Sequence, residues 1–477
     1  MKIYNSLTKK YEEFRPLEDK KIVLYTCGLT PYDQAHIGHA RTYVAFDIIK
    51  RYLIHKGYRV FHIQNITDVD DKIINRCKEI GLEPKELTEK NHAEAIAMFD
   101  ALNILRADVY PKVTENIKTI IDFIKKIIEK GYAYETETGV YFDISKFNDY
   151  GKLSGQNLQQ IIAGARKEVD ETKEDAADFA LWKKTKGEII EFDSPWGRGR
   201  PGWHIECSAM AIKYANRETI DIHGGARDLI FPHHENEIAQ SEAATGKPFS
   251  KYWLHTGFLT VNGEKMSKSL GNFITIKDAL EKFHPMAFRI FYIKSHYRSP
   301  VDYSEESVKE AKEIYERICN VLRFIEDALV NKKECDETIN FENAVKKFYD
   351  AMDNDFDTPQ ALAALFEFMH IINLELTKDA VNKEILRKAK EELQKMIWIL
   401  GISCEKKKIN ESALMKIAEK FGVKEENAEK ALQALIQIRE KARKEKNYSL
   451  SDSIRASLKE AGIILEDKKE GAGWRVE

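Results

Sequence analysis

A disulfide-built architecture is the first possibility this sequence excludes. Its six cysteines, Cys27, Cys77, Cys207, Cys319, Cys335 and Cys404, stand far apart, with no C-x-x-C pair. That spacing points to free thiols or metal ligands rather than a cross-linked framework. Long apolar runs are missing too: nothing approaches the roughly 18 uninterrupted apolar residues of a membrane span. The opening MKIYNSLTKKYEEFRP has no apolar core of an export signal, so a cytoplasmic protein with no membrane contact is expected. Net charge is only -3, from 75 basic and 78 acidic residues. Any contact with nucleic acid must therefore come from local basic patches, not from a global field. There is no sequence repeat and no low-complexity tract beyond Lys/Glu-rich helix surfaces. Glutamine is scarce beside Lys, Glu and Ile, which suits a heat-adapted protein.

What is present is an ordinary globular composition, 43% apolar and 32% charged, in a chain of 477 residues. That is long enough for several domains, each with its own core. KIVLYTC (21–27) is a short β-forming run ended by the turn signals Gly28 and Pro31. GHARTYVAFDIIKRYLIHKG follows with helical spacing of Val44, Ile48 and Tyr52 and of Phe46, Ile49 and Leu53, and Gly57 as C-cap. RVFHIQNIT (59–67) then reads as a strand, so the first third opens with a βαβ unit and a parallel sheet. The alternation breaks from about 115 to 195, as for an inserted domain. It returns at TIDIHGG (219–225) and YWLHTGFL (252–259). From about 303 the pattern is helical, with amphipathic segments near 304–330, 341–376, 383–400 and 411–446. The last residues, GIILEDKKEGAGWRVE, read as a small β-containing cap.

Three stretches carry chemistry. HIGH, His36 to His39, falls in the strand-to-helix turn, where unpaired N–H groups and the helix dipole attract anions. Gly38 has no side chain, so a flat ring such as adenine can lie on its backbone. His36 and His39 can follow charge onto a phosphate. NGEKMSKSLGN (262–272) sets Lys265 and Lys268 between two turns, a pair able to clamp a triphosphate and neutralise departing pyrophosphate. The third is a set of metal ligands. FPHHENEIAQSEAATG reads as a helix on which His233 and Glu237, four apart, face the same way. With Cys207 of GWHIECSAM and Cys27 they make a zinc-type donor set. Taken singly, each has an ordinary alternative as a core, capping or surface residue, and spacing alone leaves their convergence open. Five of the thirteen histidines, His204, His223, His233, His234 and His255, fall between 204 and 255, which favours a site.

HIGH and KMSKS, in that order on a split parallel sheet, resemble the signature pair of class I aminoacyl-tRNA synthetases. TCGLTPYDQAHIGHAR, NITDVDDKII, GRPGWHIECSAM, DIHGGARDLIFPHHENEIAQSE and GEKMSKSLGN together resemble the cysteinyl-tRNA synthetase family, and the likeness runs to SDSIRASLKEAGIILEDKKEGAGWR at the C-terminus. It implies an α/β fold: a split Rossmann-like parallel-sheet catalytic domain with an inserted connective domain, then an α-helical bundle and a small C-terminal α/β cap. The expected divisions are 1–114 and 199–256 for the catalytic halves and 115–198 for the insertion. They continue with 257–302 for the stem-contact region with the KMSKS loop, 303–402 for the bundle and 403–477 for the anticodon-binding cap.

Carried over, the resemblance assigns Cys27, Cys207, His233 and Glu237 to one zinc ion per chain. It assigns His36, Gly38, His39, Lys265 and Lys268 to ATP, with the two histidines and two lysines as catalytic groups. Trp203 becomes an aromatic lid on the substrate side chain, Thr67 a holder of the amino acid and Asp228 a nucleotide contact. The expected partners of a monomeric enzyme are L-cysteine, ATP with magnesium, and tRNA-Cys. The reaction implied is formation of cysteinyl-adenylate and pyrophosphate, then transfer of cysteine to the 3′-terminal adenosine. REKARKEK (439–446) offers Arg439, Arg443 and Lys446 as a basic helical stripe for tRNA. Two other readings share part of this pattern: a ligase joining cysteine to an amino-sugar amine, of the mycothiol-pathway type, and a non-catalytic RNA-binding descendant. The long helical tail argues against the first, and the intact phosphate signatures and ligands against the second.

Overall fold

The protein is described by a computed structural model covering residues 1–156, 172–267, 269–404, 411–425, 427–468 and 471–476. Lys268, one of the two expected loop lysines, lies outside the described residues. The chain divides into two compact units, Met1–Ser403 and Cys404–Glu477. No helix among the described residues is long and apolar enough to cross a membrane.

The first unit is organised by four parallel strands. They are β1 (Lys21–Thr26), β2 (Arg59–Gln64), β3 (Ile220–Ala226) and β4 (Ser250–Thr256), in the order β4-β3-β1-β2. Register sets Tyr25 beside His223 and Trp253 beside His223. Helix α1 (Ile37–His55) joins β1 to β2; Gly57, at φ 86°, follows its end as the sequence suggests. Helices α2 (Trp203–Ala215) and α3 (Glu235–Thr245) pack on the sheet, with Tyr25, Ile63, Cys207, Ile220, Ile238, Phe249 and Trp253 in one buried cluster. Each large apolar side chain fully buried here contributes about 2 kcal/mol.

Helix α1 is enclosed nearly all round. Even Arg41, Asp47, Lys50 and Arg51 are buried on it. Buried charge survives only when paired. Asp47 accepts from Arg51 at 2.8 Å and from Arg289, and Arg289 also donates to the carbonyls of Leu400 (2.7 Å) and Leu102 (2.9 Å).

The insertion forms a separate antiparallel sheet of Ala133–Glu135, Gly139–Phe142, Phe179–Lys184 and Gly199–Pro201. Its last strand runs beyond the boundary expected at 198. Three differences from the sequence reading concern helices. The segment 341–376 is two helices, Glu342–Asp353 and Thr358–Glu375, because Asp355 (φ 61°) and Phe356 (φ 55°) turn the chain between them. The buried Asp355 carboxylate rewards that turn by accepting from Tyr4 N, Tyr297 Oη and Arg298 Nε. The segment 411–446 breaks likewise at Gly422 into Glu411–Lys420 and Ala428–Lys444. The helix read from Pro232 begins three residues later, at Glu235. A wide turn, Ile230–His234, precedes it, with extended Phe231 and a cis Phe231–Pro232 bond.

In the second unit, Leu414, Leu432, Leu435, Ile454 and Leu458 make a core of its own. There the expected basic stripe is not formed: Arg439 is buried, and Lys446 lies past the helix end at φ 59°. The cysteines also depart in part from expectation. Cys27, Cys77, Cys207 and Cys335 are free thiols, but Cys319 and Cys404 are disulfide-bonded.

Candidate active site

The sequence-predicted residues gather at the C-terminal ends of the parallel strands, the edge where open α/β sheets bind ligands. Cys27 follows β1, Thr67 follows β2, and His255 lies near the end of β4. Asp228 sits exposed in the turn after β3.

The HIGH turn begins α1 with a cap made of histidine. His36 is the N-cap, and its Nδ1 accepts from the backbone of Gly38 (3.1 Å) and His39 (3.4 Å). His36 N–H in turn donates to His39 Nδ1 at 3.2 Å, and the rings stack with centroids 3.6 Å apart. Ile37 N–H is taken by the Ile274 carbonyl. The first N–H groups of the helix are therefore already partnered, contrary to the expectation of open anion-binding amides. An imidazole that accepts at Nδ1 carries its proton on Nε2 when neutral. In each neutral ring the donor nitrogen is therefore Nε2. Burial pushes His39 well below the usual histidine range, with His36 adding to the effect.

The KMSKS stretch is held against this turn. Leu259–Val261 and Glu264–Lys265 form a hairpin through Asn262 (φ 51°) and Gly263 (φ 79°), and the pair is completed by Val301–Tyr303. This is the Asn-Gly turn that favours positive φ at both corners. Beyond the loop, Ile276 N–H bonds the Ala35 carbonyl, next to His36. Met266 reaches over Gly38: its Cε lies 3.7 Å from where a β-carbon on Gly38 would stand. Lys265 is exposed.

The four metal-type ligands converge. The donor atoms of Cys27, Cys207, His233 and Glu237 all lie within 4.8 Å of one another, and all four residues are buried. His233 Nε2 stands 2.9 Å from Glu237 Oε1 and 3.5 Å from Cys207 Sγ; Cys27 Sγ is 3.7 Å from Glu237 Oε1. Cys27, His223, His234 and Glu237 form a second, overlapping group. His223 donates to Glu237 Oε2 at 2.7 Å, and His234 pairs with His255 at 2.8 Å. So all five histidines of the 204–255 cluster lie at this site, His204 through its 2.8 Å contact with His233. The cluster was visible in the sequence; the roles of His223, His234 and His255 behind the ligands were not.

Electrostatics follow from burial and proximity. Burial opposes ionisation of Glu237, yet His223 and His233 hold its carboxyl down to about 2. Burial disfavours charge on His233, but Glu237 and Cys207 raise it to about 10. Burial and the neighbouring Cys207 push the Cys27 thiol well up. Against its own burial, Cys207 is drawn down to about 6 by Cys27 and His233. Two thiols this close share one negative charge, and further charge must come with a cation. Two sulfurs, one imidazole and one carboxylate in tetrahedral reach are the donor chemistry of zinc.

Trp203, the first residue of α2, is 40% exposed and lies over His233, ring centroids 4.3 Å apart. Thr67 is buried against the Cys27 loop: its N–H bonds the Leu29 carbonyl at 3.1 Å. Its hydroxyl donates to Glu206 Oε2 at 3.0 Å and accepts from Asn65 Nδ2 at 3.2 Å, and Asn65 Oδ1 accepts from Gly28 N–H at 2.8 Å. A side chain on Gly28 would collide with the Asn65 carbonyl, 1.5 Å from its β-carbon. Burial pushes the Glu206 carboxyl well above the usual range, while the Thr67 hydroxyl pulls the other way. Neither Asn65 nor Glu206 was foreseen as part of the site, although NITD and WHIEC both lie within the motifs.

Residues 13–313 match the family model of the class I (C) tRNA synthetase catalytic domain, 347–405 the DALR domain, and 427–475 the cysteinyl-tRNA ligase anticodon binding domain. Among curated proteins, the cysteine–tRNA ligase of Thermococcus kodakarensis is 51% identical over 100% of this chain and 99% of its own. That of Thermodesulfovibrio yellowstonii is 49% identical with the same coverage. Of solved structures, Mycobacterium tuberculosis methionyl-tRNA synthetase with methionyl-adenylate superposes with TM-score 0.60 at 15% identity, covering 87% of this chain and 94% of that one. An Agrobacterium radiobacter leucyl-tRNA synthetase complex gives 0.61 at 12%, covering 82% and 84%. At such identities the likeness is one of fold.

Proposed function

The chain belongs to the cysteine–tRNA ligase family of class I synthetases, and from that membership we propose how its pocket selects and activates cysteine. The observation that carries the reading is the convergence of Cys27, Cys207, His233 and Glu237 beneath Trp203, a short distance along the chain from the HIGH turn. These four residues would hold a zinc ion, which when bound would supply a Lewis acid for the substrate's thiolate. Serine and cysteine are near-isosteres that a shape-based pocket separates by only about 10- to 200-fold. A soft donor set gives the discrimination a chemical basis instead.

The remaining groups position and neutralise. Trp203 closes over the side chain, and Thr67 receives the amino acid's ammonium group. The Nε2–H groups of His36 and His39 meet the phosphates, while Lys265 and Lys268 draw charge from departing pyrophosphate. Attack of a carboxylate on the α-phosphate needs little proton transfer, so positioned donors without a general base suffice. Asp228 is assigned to the nucleotide. The second step passes cysteine to the terminal adenosine of tRNA-Cys, in the cytoplasm. The match of 427–475 to an anticodon binding domain favours tRNA over an amino-sugar acceptor.

Cysteine-dependent ATP–pyrophosphate exchange, followed by charging of tRNA, tests the reading. Exchange is expected with cysteine and far less with serine, and removal of metal by a chelator should collapse that preference in step with measured zinc content. Serine activated as fast as cysteine, or discrimination untouched by chelation, would overturn it.

A further inference from the structure

Between the bundle helices Glu342–Asp353 and Thr358–Glu375 the backbone takes a conformation that side chains disfavour. Asp355 (φ 61°) and Phe356 (φ 55°) both lie in the left-handed region, which few non-glycine residues enter and a bulky phenylalanine rarely does. Such strain persists only where the surroundings hold it in place. Here the surroundings come from outside the bundle. Asp355 N–H bonds the Lys2 carbonyl at 2.8 Å, and Tyr4 N–H bonds Asp355 Oδ1 at 2.9 Å. Tyr297 Oη donates to the same oxygen at 2.8 Å and Arg298 Nε to Oδ2 at 2.7 Å, while His296 Nε2 donates to the Asp355 carbonyl at 3.1 Å. Arg298 also lies over the Tyr4 ring, 4.2 Å from its centroid.

The segment that supplies these side chains is fastened in turn to α1. Arg41, two residues past the HIGH turn, is buried and donates to the carbonyls of Tyr292 (2.9 Å), His296 (2.7 Å) and Ser299 (3.4 Å). A second anchor lies further along α1. Arg51 donates to the Trp398 carbonyl at 3.2 Å, and Arg289 and Asn103 donate to those of Leu400 (2.7 Å) and Gly401 (2.8 Å). These carbonyls end the last bundle helix, Lys383–Ile399, and the chain enters the second unit at Cys404. A body held at two separated points keeps its orientation; held at one, it can turn.

We propose that Asp355 is a positioning residue for tRNA: with Tyr297 and Arg298 it latches the bundle to α1, the helix that begins at the HIGH turn. The proposal rests on the reading of tRNA as acceptor given above. A tRNA charged at the HIGH turn and recognised by residues 427–475 binds at two places that the chain joins through the bundle. The affinity of such a two-point ligand depends on how firmly the connection between its sites is fixed. Without the latch the anchor at Trp398–Gly401 remains, and the bundle gains freedom that binding must then remove. That cost falls on the RNA. It does not fall on cysteine or ATP, whose assigned contacts include none of the latch residues.

Asp355→Gly is the change to make, because glycine accepts the positive φ and the carboxylate is lost. The full chain is assayed by cysteine-dependent ATP–pyrophosphate exchange and by charging of tRNA-Cys. Exchange should stay within about twofold of the parent, while kcat/KM for tRNA falls about 10- to 100-fold, mostly through KM. Arg298→Gln should show the same selective loss, and the double variant should be no worse than the more affected single one. Exchange that falls in proportion to charging would mean a merely structural role and overturn the proposal. So would losses that multiply in the double variant. A parent chain that supports exchange but charges no tRNA would overturn the reading of the acceptor together with the proposal. A parent that charges tRNA, with both variants matching it, would overturn the proposal alone. If Asp355→Gly does not fold, Asp355→Asn keeps the shape without the charge and is judged by the same ratio of charging to exchange.

Discussion

Replacing Asp47 by asparagine should be among the most damaging single-atom changes in the first unit. Asp47 is fully enclosed on α1 and is the only carboxylate within ion-pair distance of both Arg51 and Arg289 among the described residues; these two are 2% and 0% exposed. Its second oxygen accepts from Leu105 N–H at 2.8 Å. An amide keeps the shape and can keep the Leu105 bond, but it removes the charge and turns N–H groups toward two guanidinium groups. Breaking a buried pair by removing one partner costs about 3–5 kcal/mol. Arg289 retains three backbone carbonyls, of Leu400, Leu102 and Asn103, which sets the expectation at about 3 kcal/mol, the lower end of that range. Alanine at the same position also orphans Leu105 N–H, adding about 1–3 kcal/mol. Denaturant unfolding of the full chain, followed by ellipticity and tryptophan fluorescence, measures both. Gly401→Ala provides a cross-check. That glycine has φ 66°, and a β-carbon there would lie 1.9 Å from Arg289 Nη2, so it displaces the same guanidinium. The two changes should be strongly non-additive. An Asp47→Asn protein within about 0.5 kcal/mol of the parent would refute the reasoning, since that is the scatter of an ordinary surface substitution.

Other expectations follow from the site. Trp203→Ala should raise the cysteine KM in exchange about tenfold while leaving the ATP KM nearly unchanged, because only the amino-acid side of the pocket loses its cover; equal effects on both substrates would contradict the assignment. Lys265→Ala should lower the exchange rate about 10²- to 10³-fold, the cost of one preorganised charge-stabilising donor; an unchanged rate would remove that lysine from the mechanism. His62 is held down to about 3, first by burial and then by Lys50. Its unfolded value is near 6.5, so the unfolded chain takes the proton first. Stability from this group is therefore complete above about pH 6.5 and falls by about 1.4 kcal/mol per unit toward pH 3. His62→Gln should flatten that part of the acid limb, measured as unfolding midpoints between about pH 7 and about pH 5; an identical slope would show that His62 is not the group responsible.

Much of the fold and most of the site were legible in the sequence for a definite reason. A run such as KIVLYT or RVFHIQ followed by glycine or asparagine reports its own local structure, and α1 declares itself through residues spaced at one helical period. The four metal-type ligands could be singled out because each belongs to a dense local motif. What escaped depended on distant partners. Glu206 looks like any helical glutamate until Thr67, 139 residues earlier, arrives to bond it. The turn at Asp355 is stabilised by Tyr4, Tyr297 and Arg298, three residues that no window around 355 contains. Arg439 reads as a surface cation because its helix is rich in charge, yet it faces the core. The helix start at Glu235 rather than Pro232 reflects an extended Phe231, a backbone choice that the apolar periodicity does not encode.

The mutual cap of His36 and His39 has a consequence for how the reaction responds to its surroundings. Each ring commits Nδ1 to the backbone, so the helix start and the tautomer are one and the same decision. Burial keeps His39 from taking a second proton. A donor prepared in this way offers the same hydrogen at about pH 6 as at about pH 8, across the interval in which a free imidazole would change state. His39 behaves less like a titrating acid than like a fixed piece of backbone. Any inflection in the rate near neutrality then belongs to a group other than His39, and a histidine-to-alanine exchange at either position would disturb the helix start as well.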